Sequence, residues 1–258
     1  MEKPHYVIQF SAAQCMFEIR VNDIIVVTLN LEGQAMTIIP FNYAITDLGK
    51  QVITVRILPV FGEIHLRNTA EFYYDVLLYD VSNGFKLIEN LGGYRAPKVD
   101  NSKTKTLLTN TYSIDANVPF KLNDAWKEGQ DLKDVKDLYE KLRRTYSNIA
   151  NIIEARNFDD LIKLMELKEN NIQQALYLAK EDRNARMNSL IIDIKDGFNK
   201  IQIPNDCIIV YSSYNKIASL KRTNGEPALS LMNLETNEEL MLDLDFYLPE
   251  NSSKFQII

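Results

Sequence analysis

The apolar period of this chain changes twice, and each change limits what it can fold into. From Tyr6 to about Asp115, apolar residues alternate with polar ones or form short β-branched runs. A period of two fits strands, because successive side chains point to opposite faces of a sheet. Beyond Gln130 the step becomes three or four, through Leu132, Val135, Leu138, Leu142, Tyr146, Ile149 and Ile153. That is the repeat of an amphipathic helix. From Cys207 alternation returns, most clearly where Leu240, Leu242, Leu244 and Phe246 oppose Met241, Asp243, Asp245 and Tyr247. The pattern predicts a two-domain β and α+β chain. Its parts are an antiparallel β-sandwich over 1–118, a junction over 119–130 and an α+β domain over 131–258. In the last of these, helices at about 131–198 precede an antiparallel meander at about 207–258.

Local signals set the expected boundaries. Strands are predicted at 6–10, 16–21, 24–28, 51–58, 71–81 and 106–114. Asn22-Asp23 sits between two of them, and both residues tolerate the positive φ of a tight hairpin. Residues 91–105 are polar and rich in breakers, so a long loop is expected, with Leu91-Gly92-Gly93 as a turn. The first helix is expected to start at Asp131, with Asp131 and Asp134 at its positive end. Asn157 is the expected N-cap of a second helix that carries Asp159 and Asp160 in its first turn. A third is expected from about Arg183 to Phe198, with Gly197 as its stop signal.

Three stretches carry a family likeness. Residues 18–26 (EIRVNDIIV), 39–45 (IPFNYAI) and 48–57 (LGKQVITVRI) together resemble galactose-binding-like jelly-roll sandwiches. Asp23 stands where that pattern has Gly, and Gln51 where it has Asn. The resemblance implies a fold and carries over no sugar-binding residue. Helices followed by a meander resemble, in outline, the cone-like nuclear-transport-factor-2 fold. Residues 209–229 (IVYSSYNKIASLKRTNGEPAL) resemble bacterial toxin-immunity and type VI secretion-associated proteins. That likeness implies an immunity-type protein that binds a cognate effector domain and occludes its active site.

The residues themselves supply little chemistry. A Ser or Cys nucleophile usually needs a base within hydrogen-bond reach, and the chain has two histidines, His5 and His65. No Gly-x-Ser-x-Gly and no phosphate-binding glycine loop occurs. Cys15 and Cys207 with two histidines match no zinc-ligand spacing; they read as buried thiols, and a disulfide between them requires that the fold bring them together. Asp243 and Asp245, two apart on an expected strand, share a face and could hold a cation or act on a glycosidic bond, though solvated strand charges are far commoner. Lys141, Arg143 and Arg144 read as a solvated helix face. With 29 basic and 35 acidic residues the net charge is −6, which suits no nucleic-acid backbone. No apolar run of spanning length and no leader pattern is seen, so a cytoplasmic chain without membrane contact is expected.

The expectation for function is therefore a non-enzymatic binding protein with no catalytic residue, cofactor or metal, and with a protein partner. Tyr211, Tyr214 and Trp126 are the predicted partner-binding residues, because Tyr and Trp dominate interface energetics and loops carry recognition. Trp126 has a competing structural reading at the junction. An alternative function is a carbohydrate-binding or cell-surface module with Tyr73-Tyr74 as its aromatic platform. A third is a small-molecule enzyme with acids gathered in a cone-shaped pocket.

Overall fold

A computed structural model describes residues 3–100 and 104–258. Asn101–Lys103, part of the loop expected over 91–105, lie outside the described residues. The chain divides into two compact units, one ending at Leu122 and the next beginning at Asn123.

The first unit is a single antiparallel sheet that curls on itself. Its strands are β1 (Pro4–Val21), β2 (Ile24–Pro40), β3 (Gly49–Leu58), β4 (Glu71–Asp80), β5 (Lys86–Arg95) and β6 (Leu108–Ala116). The predicted strands 6–10 and 16–21 are one 18-residue strand. Tyr6, Ile8, Phe10 and Ala12 are buried before Gln14, whereas Cys15, Phe17, Ile19 and Val21 are buried after it. The inward parity thus switches from even to odd. Gln14 has φ +48°, and the β1–β2 register shifts between Ala13 and Cys15. A bulge there bends the strand while keeping one side on the core. The first half of β1 pairs with β4 and the second half with β3, and β2 runs beside both. The sandwich layers therefore share a bent hairpin rather than being separate sheets.

The Asn22-Asp23 turn forms as expected, with φ of +52° and +64°. Asn22 also donates to Gln51 Oε1 at 2.6 Å and accepts from Val52 N at 3.0 Å, tying the turn to β3. Gln51, which stands where the jelly-roll pattern has Asn, thus bonds the turn residue next to Asp23.

The expected turn at Leu91-Gly92-Gly93 is instead part of β5. The glycines are needed for close approach, not for reversal. A Cβ on Gly93 would overlap the Tyr74 carbonyl and lie 2.8 Å from Asp75 Cα, while Gly92 has φ +91° against the Tyr112 hydroxyl. Tyr112 Oη donates to Leu91 O at 2.7 Å, which joins β6 to β5 and curls the sheet.

The second unit contains α1 (Leu138–Glu154), α2 (Phe158–Ala175) and α3 (Lys180–Lys195), then seven short strands. These are β7 (Phe198–Gln202), β8 (Ile208–Ser212), β9 (Ile217–Lys221), β10 (Leu229–Asn233), β11 (Glu238–Leu242), β12 (Phe246–Tyr247) and β13 (Gln256–Ile257). The helix expected from Asp131 begins seven residues later. Asp131 Oδ1 accepts from Lys133 N at 2.9 Å, and Asp137 has φ +54°. Side-chain bonding to nearby backbone competes with helix, so Leu132 is buried from a turn instead. Asn157 caps α2 by accepting from Asp160 N, and Gly197 ends the third helical segment with φ +117°.

The strands form two small sheets, β11-β10-β7 and β13-β12-β9-β8, where the cone-like outline implies one curved sheet. The alternating run from Leu240 to Tyr247 breaks at Asp243–Asp245, and its halves enter different sheets. Leu142, Tyr146, Ile149 and Ile153 on one stripe of α1 pack with Ala218, Leu220, Leu231 and Phe246 in the core.

Candidate functional site

The β8–β9 connection is the most unusual backbone in the second unit. Ser213, Tyr214 and Asn215 have φ of +50°, +56° and +68° in succession. Asn enters this left-handed region readily, but for Ser and a bulky Tyr it costs on the order of 1 kcal/mol or more each. Two hydrogen bonds hold the turn, in which Ser213 is fully buried with its hydroxyl unpaired among the described residues. Asn215 O accepts from Leu132 N at 2.9 Å. Lys216 Nζ donates to Gly129 O at 2.7 Å. The product is an aromatic ring held out from a fixed base, since Tyr214 is 68% exposed.

The other predicted recognition residues are placed differently. Tyr211 is half-buried on β8, with Lys133 Nζ 5.8 Å from its ring centroid. Trp126 is 6% exposed in a short 3-10 turn over Ala125–Glu128. That burial leaves Trp126 little surface to present, unlike Tyr214. The proposed carbohydrate platform is not formed either. Tyr74 is fully buried and Tyr73 lies under the Arg95 guanidinium, 4.3 Å from its centroid.

Asp243 and Asp245 lie in the link between the two small sheets, not on a strand face. Asp243 is paired with the buried Lys221 ammonium, and Lys168 Nζ donates to its backbone carbonyl. Burial and the nearby Asp243 push the Asp245 carboxyl above the ordinary range, against the pull of Lys221 and Lys168. Ser219, beside Asp245, keeps a buried hydroxyl without a hydrogen bond of normal geometry. Tyr146 Oη clamps this segment to β9, donating to Leu244 O at 3.1 Å and accepting from Leu220 N at 3.1 Å. The acids thus close a seam between sheets.

The potential nucleophiles are muted. Burial pushes the Cys15 thiol up to about 11, and burial also raises Cys207. A thiol so shifted is protonated at neutral pH and is a poor nucleophile. Cys15 and Cys207 are both free. His5 is lowered by burial and packs edge-on against Phe85 at 5.7 Å, while His65 is exposed in the loop before β4. Among the described residues no group of three or more His, Cys, Asp or Glu could hold a metal ion. No helix among them is long and apolar enough to cross a membrane.

Two grooves flank α2. One, of about 320 Å³ against α3, mixes charges, with Glu169 buried and paired to Arg186 at 3.1 Å. The other, of about 530 Å³, lies along α1 and takes in Lys141 and Arg144. The basic cluster read as one solvated face is therefore divided. Arg143 turns away to Pro204 O and Asn205 Oδ1. Sequence reasoning missed this groove because Lys254 and Phe255 reach it from more than a hundred residues away. No protein-family model matches this chain, and neither a curated protein nor a solved structure does.

Proposed function

We propose that this chain is a non-enzymatic binding protein of the immunity type, which recognises an effector domain and occludes its active site. The observation that carries the reading is Tyr214, an exposed aromatic on three consecutive left-handed residues anchored by Leu132 and Lys216. Strained backbone persists where its surroundings over-determine it, and it clusters at binding sites. A ring held in place before binding loses little entropy on contact, which is what an interface anchor requires. The net charge of −6 favours a basic partner and speeds the encounter. Tyr211, half-buried beside Lys133, flanks the anchor.

The test is direct binding to the purified products of neighbouring genes, with wild type and Tyr214→Ala compared. An anchor should cost about 2 kcal/mol on truncation, or roughly thirtyfold in Kd, at unchanged melting temperature. Equal affinity for the variant removes Tyr214 from the interface. Absence of binding to any toxin-domain product, together with retained toxicity on co-expression, rejects the immunity reading.

A further inference from the structure

Lys141, Arg144, Thr145, Asn148 and Ile152 recur at three- and four-residue steps, so they share one side of α1. That side is a wall of the groove of about 530 Å³. Leu164 of α2, Ile152 of α1 and Phe255 beside β13 supply accessible apolar surface to the same groove, over the buried Phe246. Lys254 brings a third cation, and no carboxylate side chain lines it. Such a lining is unexpected in a chain with 35 acids and 29 bases. Among the described residues, Lys141, Arg144 and Lys254 enter no ion pair. Arg144 Nε donates to the Glu140 carbonyl at 3.4 Å, a backbone contact that leaves its charge uncompensated.

Cations of one sign beside apolar walls repel each other and favour any anion that enters. The volume falls within the roughly 300–1,000 Å³ of small-molecule sites, and mixed apolar and polar lining is their usual character. We propose that this groove binds a small amphipathic carboxylate. Its apolar chain lies against Ile152, Leu164 and Phe255, and its head group lies among Lys141, Arg144 and Lys254. The ligand is a free monomer rather than a bilayer. The apolar groups line a concavity instead of protruding, and the net negative charge opposes docking on an anionic surface. This site is independent of the Tyr214 turn, so either reading can fail alone.

Calorimetric titration of the intact protein tests it. Decanoate below its micelle concentration is compared with decyltrimethylammonium, which keeps the chain and reverses the charge. Saturable one-to-one binding of decanoate, with the cation at least tenfold weaker, is expected. Arg144→Glu combined with Lys254→Glu should weaken decanoate at least tenfold, whereas Lys50→Glu in the first unit should not. Leu164→Glu, at a partly exposed helix position, places a carboxylate in the groove and should weaken it similarly if the double variant fails to fold. The proposal is overturned by equal affinity for both amphiphiles, by no saturable decanoate binding, or by variants that bind as wild type. Binding to anionic phosphatidylglycerol vesicles without binding of monomeric decanoate also overturns it.

Discussion

Tyr146 shows how much one hydroxyl can hold. It is buried on α1, yet its oxygen serves both a β9 amide and the carbonyl of Leu244. Tyr146→Phe keeps the packing and strands both backbone groups, so it should cost about 2 kcal/mol, read by urea denaturation. A loss below about 0.5 kcal/mol would mean water replaces the hydroxyl. Asp245 gives the residue scale a pH dependence. Its folded carboxyl titrates above its unfolded one, so between the two values the folded state binds more protons. Its contribution to stability is therefore lost as pH rises through the folded value and regained as pH falls. Asp245→Asn should be more stable than wild type at neutral pH, with the gap in Tm narrowing under acid conditions. A gap that widens on acidification would contradict the burial argument.

At the scale of elements, glycines in the first unit separate two kinds of strand position. Gly93 faces the Tyr74 carbonyl across the β4–β5 pair, where a Cβ has no room. Gly33 in β2 has nothing within 4 Å of its would-be Cβ and no positive φ. Gly93→Ala should destabilise the first unit by about 2–3 kcal/mol through overpacking, whereas Gly33→Ala should lie within about 0.5 kcal/mol of wild type. Similar midpoints for the two variants in chemical denaturation would show that β5 shifts without cost. The breaker-rich look of 91–95 misleads for the same reason. A glycine pair is a turn signal by default, and the carbonyl that demands it lies on another strand.

For the whole molecule, two separate cores should give two separable transitions. The single tryptophan, Trp126, is buried and belongs to the second unit. Gly93→Ala should leave the Trp126 fluorescence midpoint in place while moving the far-ultraviolet dichroism of the first unit. Tyr146→Phe should move the fluorescence midpoint. If each variant shifts both probes equally, the chain unfolds as one cooperative body and the units are not independent.

Much of this organisation was legible along the chain. The switch of apolar period marks where strands give way to helices, because period follows from backbone geometry alone. Asn22-Asp23, Asn157 and Gly197 act where their local chemistry predicts, since turns and caps are decided within a few residues. The corner at Gln14 was not legible in this way, since two expected strands, 6–10 and 16–21, are one bulged strand. What tertiary structure decided involves partners far apart in sequence. Leu91–Arg95 become strand because β4 offers an edge. The 240–247 run splits because two sheets compete for it. Lys141 and Arg144 become groove walls because Lys254 and Phe255 arrive beside them. Tyr214 stands out because Leu132 and Lys216 fix its turn. Long-range pairing overrides local preference wherever burial or a carbonyl on another strand outweighs about one kcal/mol of propensity.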